Sequence, residues 1–170
     1  ADRPADDNVV AALNCNMDEL HACIGRVQLR KLPASIRRDR AIARAIADGC
    51  REKCRAVRLM EAPPESEGVY WFVLLGLDLE KLSVDKPTFV EALVAEGIPA
   101  GKGYSRYPIF RRWNAPTGAA EKRLRRRYPL PNAEAVDACH FPLMIHEGWT
   151  KRDAADVVRA LVKIERAYLT

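Results

Sequence analysis

A chain of 170 residues with 28 Lys+Arg against 23 Asp+Glu carries a formal net charge of +5. Apolar residues make up 48% and charged residues 30%, ordinary proportions for a folded globular protein, which excludes a disordered tail. No apolar run approaches the ~20 residues needed to span a bilayer. Ala1-Asp2-Arg3-Pro4 does not read as a signal peptide, and the absence of a starting Met predicts a processed product or a piece of something longer. The length fits one domain.

Asn16 followed by Met17-Asp18-Glu19 reads as a helix start, with an Asn cap and a Glu three residues on. Met17, Leu20, Ile24 and Val27 then recur at spacings of three and four and form one apolar stripe. Gly25 inside that stripe points to close approach by another backbone, because glycine costs ~1 kcal/mol in a helix relative to alanine. Leu32-Pro33 should end the helix, since proline disfavours the helical conformation in the residue before it.

Ser35 is placed to cap a second helix reaching about Arg55. Its seam is Ile42, Ile46, Cys50 and Cys54, and arginines 37, 38, 44, 51 and 55 take much of the rest. A Pro/Gly-rich loop over 61–68 leads to Val69–Leu77, nine residues of which eight are apolar. That run reads as a central strand buried on both faces. Asp85 should cap a short helix with Pro87 in its first turn, an apolar side of Phe89, Val90, Leu93 and Val94, and Gly97 closing it.

Ile98–Gly101 reads as a second extended piece, and 102–131 as loop with at most one short helix. Cys139–Met144 is a third strand candidate, and Thr150 with Asp153 caps a last helix with the stripe Ala154, Val157, Val158, Leu161, Ile164 and Tyr168. The order predicts an α+β fold, with a small antiparallel or mixed sheet of about three strands packed against long helices. Within it, residues 1–13 connect, 14–58 form a helical pair and 68–170 bear the sheet.

The chemistry visible in isolation is sparse. There is no Walker A loop, GxGxxG, HExxH or GxSxG, and Gly101-Lys-Gly-Tyr104 is too short for a phosphate loop. Five cysteines, an odd number without CxxC units, argue against a disulfide scaffold or a four-cysteine zinc site and for a reducing cytoplasm. Cys50 and Cys54 sit four apart on one helix face, and the bland reading is two small buried thiols. His21, His140 and His146 are the only imidazoles; His140 and His146 are acid–base candidates, set against satisfied polar residues beside a strand. No metal site is expected. Basic runs at 37–40, 111–112 and 122–127 invite a nucleic-acid partner, but interspersed acids and 7% aromatics argue against it.

One stretch says more. Asn14-Cys-Asn-Met-Asp-Glu-Leu-His-Ala-Cys-Ile-Gly-Arg-Val-Gln-Leu-Arg-Lys-Leu32 resembles a signature of the DegT/DnrJ/EryC1/StrS aminotransferases, fold-type-I pyridoxal phosphate enzymes that aminate keto-sugars and related cyclic ketones. Asn14, Met17, Glu19, Leu20, Ala22, Gln28, Leu29 and Leu32 keep the family pattern. Arg38, Arg40, Ile42 and Ala43 are similar to its R-x-x-I-A helix, and Leu93–Pro99 to its L-x-x-x-G-I-x segment. Tyr107-Pro108, Pro131–Glu134 and the Trp149-Thr150 helix match its later regions. The chain departs from the pattern at Ala12, Asn16 and Phe110, where the family usually has Gly, Arg and His.

The resemblance covers the C-terminal part of such an enzyme only. In the family the Schiff-base lysine lies upstream and precedes a Gly-Glu-Gly-Gly turn; none of the eight lysines here has that surrounding. The resemblance therefore implies no catalytic residue in this chain, pyridoxal 5'-phosphate as the cofactor of the whole enzyme, and Asn14 as the residue reaching the cofactor phosphate of the neighbouring subunit. It implies a homodimer with the site at the interface, a keto-sugar or cyclitol ketone as substrate, and an amino-acid donor such as glutamate. The competing expectations are a non-catalytic remnant or interaction domain, and a basic nucleic-acid-binding module.

Overall fold

A computed structural model of the chain describes residues 17–60, 62–103 and 131–170. The chain divides into two compact units, residues 1–34 and 35–170. In the first unit the described part is the start of helix α1 (Glu19–Lys53). Asp18 stands at its entrance: the carboxylate accepts the His21 backbone N–H at 2.9 Å and meets His21 Nδ1 at 2.5 Å. The backbone bond, followed by the imidazole contact, holds the Asp18 carboxyl below its ordinary value. The capping role expected of Asn16 falls outside the described residues.

Pro33 does not end this helix. α1 passes through it, and the expected second helix is the continuation of the first. An interior proline costs one intrahelical bond, to the carbonyl of Leu29, plus ring crowding. Residues 29–34 all have exposed side chains, so water is at hand for the orphaned carbonyl. Gly25 is also corrected, since a Cβ placed there would meet nothing within 4 Å. The stripe Met17, Leu20, Ile24 and Val27 is present but lies open, with exposures from 43% to 76%.

In the second unit, β1 (Val57–Leu59), β2 (Phe72–Leu77) and β3 (His140–Met144) form an antiparallel sheet in that order. Val57 faces Leu77, and Gly76 faces His140. β2 is central, as expected, but its burial alternates: Val73, Leu75 and Leu77 are buried while Phe72, Leu74 and Gly76 are half-buried. An antiparallel sheet with helices on one face produces this period of two, whereas burial on both faces belongs to parallel sheets. The buried face joins Ile42, Ile46 and Cys50 of α1 and the inner sides of α2 (Lys86–Ala95) and α4 (Lys151–Tyr168) in one apolar core. The rings of Phe89 and Phe141 meet inside it at 6.3 Å.

Ile98–Gly101 is a single bridge, Ala100 to Leu143, rather than a strand. α3 (Pro131–Cys139) precedes β3 and begins where the expected stretch of loop with at most one short helix, 102–131, ends. The helix ends follow the sequence more closely. Asp85 accepts from the Thr88 backbone N–H at 3.0 Å, and Gly97 adopts φ 82° past the end of α2. Val94, expected on the apolar side of α2, is exposed.

α4 opens with a complete capping box between Thr150 and Asp153. Thr150→Ala should lower stability by about 1 kcal/mol, read as a lower midpoint in urea unfolding at unchanged slope. The Thr150 hydroxyl and then its backbone N–H hold the Asp153 carboxyl below the usual range. A depressed carboxyl stabilises above its unfolded pKa and loses that contribution as pH falls through its folded value. The deficit of Thr150→Ala relative to the parent chain should therefore shrink in acid. A constant deficit from neutral to acidic pH would remove Asp153 from the cap. No described helix is long and apolar enough to cross a membrane.

Candidate functional site

The residues singled out from the sequence do not converge. His21 pairs with Asp18 at the start of α1. His140 places Nδ1 2.9 Å from the Val136 carbonyl oxygen and 3.2 Å from Cys139 Sγ. Its ring lies over Gly76, where a Cβ would come 2.9 Å from Nε2, so glycine admits the imidazole there. His146 accepts the Gly148 N–H on Nδ1 at 3.0 Å and meets Trp149 edge-on at 6.2 Å. Each histidine thus has a local partner on a different element. Among the described residues no group of three His, Cys, Asp or Glu could hold a metal ion.

Cys50 is buried and Cys54 half-buried, close to the bland reading of two small thiols. A hydrogen bond from the Cys54 thiol favours the thiolate on Cys50 and pushes Cys54 up; burial adds to the rise at Cys54. Lys102 pairs with Glu91, and Gly101 donates its N–H to the Pro142 carbonyl at 2.8 Å, so this segment is tied to the sheet and not arranged around a phosphate. Asn14, Tyr104, Tyr107, Pro108 and Phe110 lie outside the described residues.

Two buried charged residues escaped the sequence reading. Glu165 of α4 is 2% exposed and accepts three successive backbone N–H groups, from Arg55 at 2.7 Å, Ala56 at 2.8 Å and Val57 at 3.1 Å. It holds the turn between α1 and β1. Lys86, 3% exposed at the start of α2, donates from Nζ to the Asp137 carbonyl and, at 3.2 Å, to the His140 carbonyl. It closes the C-terminal end of α3, where carbonyls lack intrahelical donors. The Asp137 carboxylate lies 3.9 Å away.

Both are fastenings of the fold. Lys86→Met should cost about 2–3 kcal/mol, since two hydrogen bonds from a charged donor are lost, which for this size lowers Tm by roughly 5–10 °C. A calorimetric Tm within 2 °C of the parent, outside the roughly 2–4 °C that 1 kcal/mol moves, would contradict this role.

The matched positions on α1 make the same kind of contacts. Arg38 donates to the Glu147 carbonyl at 2.6 Å, and Arg40 to the Gly68 carbonyl at 2.8 Å and the Glu67 carboxylate at 2.6 Å, while Ile42 and Ala43 are in the core. The residues thus build a scaffold rather than a reaction centre. Against known families, the model described as DegT/DnrJ/EryC1/StrS aminotransferase family matches residues 2–162. This chain belongs to that family. No curated protein matches it.

Solved structures agree on the fold of this family member. The aminotransferase from Psychrobacter cryohalolentis superposes with a TM-score of 0.73 at 19% identity, covering 91% of this chain and 40% of that one. A Streptococcus pneumoniae protein described as a sugar aminotransferase, in its PLP form, gives 0.72 at 19% identity, covering 96% and 40%. The sugar aminotransferase from Micromonospora echinospora gives 0.61 at 21% identity, covering 86% and 35%. The chain therefore spans about 40% of the length of these relatives.

Pyridoxal phosphate, implied by the family, requires a lysine to hold it as an imine. Seven of the eight lysines are described. Lys86 is buried with Nζ committed to two carbonyls, and the other six are exposed. The described residues do not form a cradle for the cofactor.

Proposed function

We propose that this chain is the C-terminal small domain of a PLP-dependent aminotransferase of the DegT/DnrJ/EryC1/StrS family, inactive alone. Joined to a lysine-bearing large domain, it serves a cytoplasmic homodimer that moves an amino group from a donor such as glutamate to a keto-sugar or cyclitol ketone. The observation that carries the reading is the family match over residues 2–162 in a chain with about 40% of the length of its solved relatives. A sugar substrate is supported by the name of the Micromonospora relative, and the cofactor by the PLP form of the Streptococcus one. The open stripe of Met17, Leu20, Ile24 and Val27 is apolar surface suited to a partner subunit or the large domain. In this assembly the Asn14 amide donates to the cofactor phosphate, which offers only acceptors.

The test is the DNA immediately upstream of Ala1. A continuous frame encoding a lysine followed by Gly-Glu-Gly-Gly supports the enzyme reading. A frame lacking it supports a non-catalytic remnant.

A further inference from the structure

β1 is an edge strand, since the sheet runs in the order β1-β2-β3. Asp78 donates its N–H to the Ala56 carbonyl at 2.8 Å, and Met60 donates to the Leu74 carbonyl at 2.9 Å. Residues 56, 58 and 60 therefore turn their backbone groups toward β2. The alternation of an antiparallel ladder then turns those of Val57 and Leu59 away from it, to the open side. The Glu165 carboxylate takes the outward Val57 N–H. The Val57 carbonyl and both backbone groups of Leu59 have no partner among the described residues.

An edge of three residues is ordinarily left to water. This one opens onto a groove. Two cavities of about 510 and 440 Å³ lie side by side between β1 and the second half of α1, sharing Ala47, Arg51 and Leu59. Ala47, Cys50, Val57 and Leu59 give the larger one an apolar wall. Its charges are locally balanced, because Arg51 pairs with Asp48 and the Asp78 carboxylate is an electrostatic neighbour of Arg58. Charge therefore does not select the occupant. The free backbone groups do: two acceptors and a donor spaced along a strand are matched by another extended backbone. In an added strand, the residue opposite Leu59 exchanges hydrogen bonds with it and points its side chain to the same face of the sheet. That face is the one covered by α1, so the side chain enters the groove.

We propose that the open edge of β1 takes an extended peptide segment of another protein as a fourth strand, with an apolar side chain of that segment seated between β1 and α1. The proposal does not rest on the aminotransferase reading.

NMR of the 170-residue chain with the end-blocked peptide Thr-Val-Thr-Val-Thr tests it. In the free chain the Leu59 amide should exchange with solvent faster than the Met60 amide, which is bonded to Leu74. Saturating peptide should slow Leu59 exchange about tenfold or more, and amide shifts should centre on residues 57–60. The same peptide N-methylated at both valines lacks the donors that face the edge, and should bind about tenfold or more weakly. Absence of binding, equal binding of the two peptides, or shifts centred elsewhere would overturn the proposal. So would a Leu59 amide already protected in the free chain in a concentration-dependent way, since that result would mark a second copy as the occupant.

Discussion

Glu165→Leu should be the most damaging single change in the second unit. It leaves the buried N–H groups of Ala56 and Val57 and the part-buried one of Arg55 without their acceptor. At about 1–3 kcal/mol for each of the two unsatisfied buried donors, the loss is roughly 2–6 kcal/mol, a large share of a typical domain's stability. If the leucine variant fails to fold, Glu165→Gln reads the same interaction at smaller cost. The amide keeps one acceptor oxygen but turns an NH2 group toward N–H donors, and a loss of about 2 kcal/mol is expected. Urea unfolding within 0.5 kcal/mol of the parent for both variants, the spread of ordinary surface changes, would show that the turn does not depend on the carboxylate.

Asn14→Ala should have the largest functional effect, in the full-length enzyme that the proposed function requires. A hydrogen bond from its amide to a phosphate contributes ~1.5–3 kcal/mol, so cofactor retention should weaken by roughly 10- to 150-fold. The fold should be unaffected, because Asp18 accepts the first-turn His21 N–H of α1. The side of the interface can be read by mixing Asn14→Ala subunits with subunits lacking the Schiff-base lysine. If Asn14 acts across the dimer, both defects fall on one site and the other is intact, so the mixture is more active than either parent. A mixture no better than its parents, or unchanged cofactor affinity in Asn14→Ala, would leave Asn14 as a turn residue.

Features decided by neighbouring residues were legible in the sequence. Thr150 with Asp153, Asp85 with Pro87, and Gly97 each act within a few positions, and each is found where the pattern put it. The family signature was legible for the same reason, as a contiguous run. What the sequence hid was long-range. Glu165 serves backbone groups 108 to 110 residues away, and Lys86 serves carbonyls 51 and 54 residues away, so nothing beside either residue announces the partner. β1 is three residues long, too short for any periodicity to show.

Two expectations failed because a local rule met a surrounding it did not know. Pro33 was read as a stop, but it sits in an exposed stretch where its missing bond is cheap. Gly25 was read as a contact point, yet the close approach is at Gly49, where a Cβ would come 2.6 Å from Val158 Cγ2. The second glycine marks where α1 passes α4, and its role depends on a residue more than a hundred positions away.

The central claim, that the family's scaffold is present here without its imine-forming lysine, is tested by incubating the 170-residue chain with pyridoxal phosphate, reducing with borohydride and mapping modified lysines by mass spectrometry. The account predicts scattered, partial modification of exposed lysines and none at Lys86, whose Nζ is held by Asp137 and His140. A single lysine modified in full stoichiometry would contradict it and place the cofactor's anchor within this chain.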